Sequence, residues 1–160
     1  MLLYIHGGPF APTSWADWAV WKKLSADYTV VNWDQRGYGH NYPKYKAAEP
    51  ISADDMIADG KALTDFLCDY LGKEKITVFG HSMGSIYAAN LALDYPEKYD
   101  AVIVGALIVD EQESGSIHGE AYGEQLSIAD RTQYQVPFYL TQGKNDHNVG
   151  TMVEVTAAML

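Results

Sequence analysis

Cysteine is nearly missing from this sequence: Cys68 is the single thiol in 160 residues. One thiol excludes an internal disulfide and a zinc site built on cysteines. Basic residues are scarce as well. Eleven Lys and Arg stand against 21 Asp and Glu, a formal net charge of −10; such a chain repels phosphate backbones, so nucleic acid is not an expected partner. No apolar run approaches the roughly 18–20 residues that a membrane-spanning helix needs, so no membrane partner is expected either. Met1-Leu2-Leu3-Tyr4-Ile5 has no basic stretch before it and no small-residue cleavage site after it. It reads as a buried strand that opens the fold directly, not as a signal peptide, and the expected location is cytoplasmic.

What is present fits a globular domain. A hydrophobic share of 48% with 20% charged residues argues against disorder and against collagen-like or coiled-coil fibre. A single domain over residues 1–160 buries roughly 68–70% of its unfolded surface, enough for a core without disulfide or metal staples. No metal and no cofactor is expected.

Strand and helix patterns alternate along the chain, which predicts an α/β fold with a parallel sheet covered on both faces. Strands are expected at Leu2–Ile5, Thr29–Trp33, Lys75–Phe79, Ala101–Val109 and Val136–Thr141. The fourth is nearly all aliphatic and so belongs in the sheet interior. A helix over 13–26 carries Trp15, Trp18 and Trp21 at spacing three, a stripe that reads as core packing. Ser52 and Asp55 form an N-cap signal for a helix reaching about Leu71 and closed by Gly72. Ser85–Tyr95 reads as a small-residue helix ended by Pro96, and a last helix starts at Thr151. Between them, 34–51 is a long polar loop in which Tyr38, Tyr42 and Tyr45 sit near the expected pocket mouth. Residues 111–135 are polar and Gly/Ser-spotted. The acids Asp54, Asp55, Asp59, Glu111, Glu113, Glu120 and Glu124 read mostly as a solvated face.

Two turns carry chemistry. Gly80-His81-Ser82-Met83-Gly84 follows a predicted strand and opens a predicted helix, the context in which Gly-x-Ser-x-Gly places a serine hydroxyl on a strained turn above a sheet. The helix N-terminus below it favours the negative charge that develops in acyl transfer. The plain alternative is a tight strand-to-helix turn with a capping serine. His6-Gly7-Gly8-Pro9 ends the first strand, and its glycines can turn backbone N–H groups into a cavity. With the N–H of Met83, those of Gly7 and Gly8 would form an oxyanion hole.

His6-Gly7-Gly8-Pro9, Trp33-Asp34-Gln35-Arg36-Gly37-Tyr38-Gly39 and Gly80-His81-Ser82-Met83-Gly84 occur in the order and spacing of α/β-hydrolases. The chain resembles that family, and within it the proline iminopeptidase-like branch, over most of residues 1–110 and again over 136–150. His81 and Met83 stand where iminopeptidases usually carry Gly and Trp, which leans toward the esterase-type members. The resemblance implies a three-layer, doubly wound, mostly parallel sheet of about five strands. The family's first two strands and last strand have no counterpart here, and dropping them from its strand order leaves 2-1-3-4-5, the flavodoxin-like order, with the switch point at the elbow. Residues 111–135 then stand as a shortened cap-like excursion.

The same resemblance implies Ser82 as nucleophile and Asp146, in Gly143-Lys144-Asn145-Asp146, as the acid that orients a histidine; an Asn-Asp turn is the alternative, and Asp110 is a second candidate acid. The base stays open. The family's histidine lies one strand beyond the acid, where this chain ends, so the expected base falls outside it. Within the chain, His147 and His118 are the candidates; His6 reads as packing, His81 as pointing away from the nucleophile, and His40 as a surface loop residue. The expected activity is hydrolysis of small esters by a serine hydrolase, with an iminopeptidase-like aminopeptidase as alternative. A non-catalytic hydrolase fold serving as a binding module is the alternative of another class. A homo-oligomer is expected, through the edge of the fifth strand or the terminal helix, whose apolar residues have little of the chain to cover them.

Overall fold

A computed structural model describes residues 1–7, 18–41, 52–106 and 134–143. The described elements, in chain order, are β1 (Leu2–Ile5), α1 (Trp18–Leu24), β2 (Val30–Asn32), a 3-10 turn (Gly39–Asn41), α2 (Ala53–Leu71), β3 (Ile76–His81), α3 (Met83–Asp94), a second 3-10 turn (Pro96–Lys98), β4 (Tyr99–Gly105) and β5 (Phe138–Thr141). The five strands form one sheet in the order β2-β1-β3-β4-β5, and every pairing is parallel. This is the order expected from the sequence. β4 is an interior strand, as its aliphatic run required. The proposed cap-like excursion and terminal helix lie outside the described residues.

Side-chain alternation along the strands builds two cores, one on each sheet face. Leu3, Ile5, Ile76, Val78, Val102 and Val104 face α2 and α3, where they meet Met56, Leu67, Ile86, Tyr87, Ala88 and Leu91. Leu2 and Tyr4 face the other way and bury Trp21 of α1, with Val30 and Phe79 packed beside them. Tyr4, Trp21 and Phe79 form a tilted aromatic triangle with centroid separations of 4.5–5.8 Å. The tryptophan stripe therefore splits. Trp21 is core, but Trp18 is 59% exposed, a correction to the packing expected of it, because the described α1 runs only seven residues and turns one face to the sheet. Trp15 lies outside the described residues.

Helix α2 starts as its sequence predicts. The Ser52 hydroxyl accepts from the Asp55 N–H at 3.1 Å while the Ser52 N–H donates to the Asp55 carboxylate at 3.1 Å, and Gly72 ends the helix in the left-handed region at φ 60°. Helix α3 lies between the sheet and α2, which explains why Met83 through Ala92 are all buried. Small residues allow that depth: a β-carbon on Gly60 of α2 would meet Leu91 of α3 at 2.7 Å. Tyr99 starts β4 with its hydroxyl 2.9 Å from Thr64 Oγ1, which itself donates to the Gly60 carbonyl at 2.8 Å. Among the described residues, no helix is long and apolar enough to cross a membrane.

Candidate active site

Strand β3 ends at His81 and α3 begins at Met83, so Ser82 alone makes the turn. Its backbone is strained, with φ 54° and ψ −125°. A serine that merely capped α3 would have extended backbone and accept a bond from the first helical turn. Ser82 does neither, and its side chain makes no capping hydrogen bond. Strain of this kind costs of order 1–3 kcal/mol and concentrates where geometry serves function.

The flanking glycines are required by contact. A β-carbon on Gly80 would fall 2.1 Å from the Gly84 carbonyl oxygen, and one on Gly84 would fall 2.2 Å from that of Ile5. Below the elbow, the Ser82 N–H donates to the Gly105 carbonyl at 2.8 Å, and Ser85 Oγ donates to the same oxygen at 2.6 Å. Ser85 is fully buried and ties the first turn of α3 to the end of β4. Its role was not read from the sequence, although a serine inside a small-residue helix was the available signal. Ala106, directly after β4, also has positive φ (51°), and its N–H donates to Thr141 at 3.1 Å. Gln142, one residue past β5, has both side-chain amide atoms buried and without a hydrogen bond. Strained or unpaired groups thus end three adjacent strands on one edge of the sheet.

The turn after β1 meets the elbow. A β-carbon on Gly7 would come 3.1 Å from the His81 carbonyl oxygen. His6 is buried, its Nδ1 lies 2.6 Å from the Gly7 carbonyl oxygen, and the edge of its ring meets Tyr38 at a centroid separation of 5.5 Å. Gln35, also buried, reaches from the segment after β2 and donates its side-chain amide to the His6 carbonyl at 2.8 Å. Arg36 fixes that segment to α2 with a bidentate pair to Asp59 at 2.7 and 2.6 Å and a longer contact to Asp55 at 3.4 Å. Asp34 closes it: its carboxylate accepts from His40 Nδ1 at 2.7 Å, and a β-carbon on Gly39 would overlap it at 2.4 Å. Trp33-Asp34-Gln35-Arg36-Gly37-Tyr38-Gly39 is therefore a brace for the turn after β1.

Gly7 lies against Ser82, and Met83 follows Ser82 as the first residue of α3. His6 is buried, His81 is exposed, and the His40 ring is 94% exposed beside Asp34. Asp54 is exposed, and Asp55 and Asp59, both partly exposed, pair with Arg36, a contact that the sequence reading did not single out. Hydrogen bonding from Ser52, and then the Arg36 charge, lowers the Asp55 pKa. Gly8, Asp110, His118, Asp146 and His147 lie outside the described residues, as do Tyr42, Tyr45 and the glutamates of 111–124. Among the described residues no three or more His, Cys, Asp or Glu side chains gather as a metal site.

A family model described as "alpha/beta hydrolase fold" matches residues 1–108. The chain belongs to the α/β-hydrolase family. A second model, described as "Putative esterase", matches residues 60–159. Among curated proteins, the chain is 30% identical to "Probable aminopeptidase YbaC" of Bacillus subtilis, covering 89% of this chain and 44% of the relative. It is 33% identical to "Rhodomycin D methylesterase DnrP" of Streptomyces peucetius, with 68% and 36% covered. The chain thus spans less than half the length of these curated relatives. Among solved structures, a Pseudomonas aeruginosa protein described as "a probable hydrolytic enzyme" shares the fold at a TM-score of 0.68 and 18% identity, over 98% of this chain and 69% of that one. Potato epoxide hydrolase I aligns at a TM-score of 0.53 and 26% identity, over 74% and 39%.

Proposed function

We propose that the chain is a serine hydrolase acting on small carboxylic esters, with Ser82 as nucleophile. The observation that carries this reading is the backbone of Ser82: a strained, uncapped serine at a helix N-terminus, in contact with the turn after β1. Ser82 Oγ attacks the ester carbonyl and its proton passes to an imidazole. The N–H groups of Gly7, Gly8 and Met83 hold the oxyanion, and the imidazolium returns the proton to the departing alkoxide. Water then hydrolyses the acyl-enzyme by the same route. Asp146 orients the imidazole, and His147 and His118 are the bases this chain itself offers. Similarity to an esterase model and a methylesterase supports the ester substrate class.

Similarity to a protein named an aminopeptidase favours a second reading, an amide bond at a peptide N-terminus. The two differ in what the base must do. An amine leaves only when protonated, whereas a phenolate leaves unaided. The proposal expects fluorophosphonate labelling of Ser82 and faster turnover of p-nitrophenyl acetate than of a prolyl amide. Faster amide turnover selects the aminopeptidase; a chain that neither labels nor turns over either substrate is a binding module.

A further inference from the structure

One buried serine beside the nucleophile holds its backbone from both sides. The Ser82 N–H extends the pairing of β3 with β4 by one bond, donating to the Gly105 carbonyl at 2.8 Å. Ser85 Oγ donates to that same oxygen at 2.6 Å, while the Gly80 carbonyl lies farther from it, at 3.3 Å. A hydroxyl has one proton, so the shorter contact takes it. A carbonyl oxygen has two lone pairs, and both of those on Gly105 are in use. The Ser85 backbone N–H in turn donates to the Ser82 carbonyl at 2.9 Å. Ser85 is fully buried and acts on both peptide planes that flank Ser82, on the preceding one through Gly105 and on the following one directly.

We propose that Ser85 is a positioning residue for the nucleophile: its hydroxyl keeps the Gly105 carbonyl where that oxygen holds the Ser82 N–H, and so keeps Ser82 in its strained conformation. The proposal rests on the serine hydrolase reading. A residue other than glycine at φ 54° persists only where its surroundings over-determine it. The easy relaxation is rotation of a flanking peptide plane, and here each plane is held. The consequence reaches the reacting atoms through Met83. Carbonyl and N–H of a trans peptide point in opposite directions. With the Ser82 carbonyl turned into α3 toward the Ser85 N–H, the Met83 N–H faces out of the helix end, where a developing oxyanion can use it. A Gly105 carbonyl free to swing would let Ser82 and that N–H move together.

Ser85→Ala removes the hydroxyl and keeps the backbone bond to Ser82. Thr64→Val is its matched control, since Thr64 is equally buried and its hydroxyl bonds only to Gly60 and Tyr99, between α2 and β4. Both are assayed well below their melting midpoints. With p-nitrophenyl acetate, Ser85→Ala is expected to lower kcat, and with it the fluorophosphonate labelling rate of Ser82, by roughly 10²-fold, the scale of one misplaced donor. KM should stay level. Thr64→Val is expected to keep both rates, however far its midpoint falls. Ser85→Cys keeps the size with a weak donor and should fall between Ser85→Ala and the parent. Equal rate losses in Ser85→Ala and Thr64→Val, or a change confined to KM, overturns the proposal. A second measurement needs no turnover and no variant: in the parent chain the amide protons of Ser82 and Ser85 should exchange more slowly than that of Met83, and equal exchange at all three overturns it. A parent chain that neither hydrolyses the ester nor reacts with a fluorophosphonate removes the serine hydrolase reading, and with it this role for Ser85. A reactive parent chain with Ser85→Ala at the parent rate removes the Ser85 inference alone.

Discussion

A β-carbon placed on Gly7 would lie 2.9 Å from the Cβ of Ser82 and 3.4 Å from its Oγ. The turn after the first strand and the elbow after the third therefore touch, backbone against nucleophile. The sheet arranges this: β1 pairs directly with β3, Ile5 opposite Gly80, so both turns leave the same edge side by side.

Gly7→Ala tests that contact. Gly7 is outside the left-handed region, so its backbone accepts alanine, but the added methyl presses on Ser82 and on the His81 carbonyl. Overpacking by one carbon costs about 1–3 kcal/mol. We expect a lowered thermal midpoint and a fluorophosphonate labelling rate reduced at least tenfold (roughly 1.4 kcal/mol). Labelling at the parent rate would show that the contact has no bearing on the nucleophile.

Ser82→Ala and Ser82→Gly should part company in stability while both lose labelling. Alanine keeps the strain at φ 54°. Glycine releases a strain of order 1–3 kcal/mol against roughly 0.5–1 kcal/mol of added chain entropy. Denaturant melts should place the glycine variant about 1 kcal/mol above the alanine variant. Equal midpoints would mean the elbow is not strained, and residual labelling in either would move the nucleophile elsewhere.

Alkaline stability has a defined origin. Burial raises the pKa values of Cys68 and Tyr99 from ordinary values of 9.0 and 10.0. A group whose folded value is raised contributes stability that is whole below its unfolded pKa and is lost as pH climbs toward the folded one. The urea midpoint should therefore hold to about pH 9 and fall beyond it as the unfolded chain ionises first. Tyr99→Phe should flatten the decline above pH 10. An unchanged slope in that variant would assign the alkaline limb to other groups.

Association is expected to involve the fifth strand. Among the described residues β5 pairs with β4 alone, and its Tyr139 is 58% exposed. An unpaired strand edge with an apolar side chain invites another strand. The net charge of −10 opposes that until salt screens it. Sedimentation should show a dimer or larger species that tightens from low to moderate salt, and Tyr139→Lys should weaken it. A monomer at high concentration in moderate salt would discard the idea.

Much of the framework was legible because each element carried a local reason. β-branched and aliphatic runs marked the strands, Ser52 and Asp55 marked a helix start, and Gly80 and Gly84 marked a turn too tight for side chains. Strand order came from the family resemblance that three linked motifs carry. The polar braces were not legible. Gln35 and Arg36 are adjacent, yet one turns inward to His6 and the other outward to Asp59, and no periodicity encodes that divergence in a loop. Ser85 and Ala106 escaped for a similar reason, since their roles depend on strands meeting, not on neighbours in sequence. The expected acid and bases, Asp146, His147 and His118, fall outside the described residues.

The register of the sheet also fixes a waiting time. Leu2 lies opposite Thr77, so the first strand cannot acquire its central neighbour until about 75 further residues exist. At a synthesis rate of roughly 5–20 residues per second, that interval is about 4–15 s. Through it, Leu2, Leu3, Tyr4 and Ile5 have at most the short strand Val30–Asn32 beside them. Slower decoding between residues 33 and 76 would lengthen that interval.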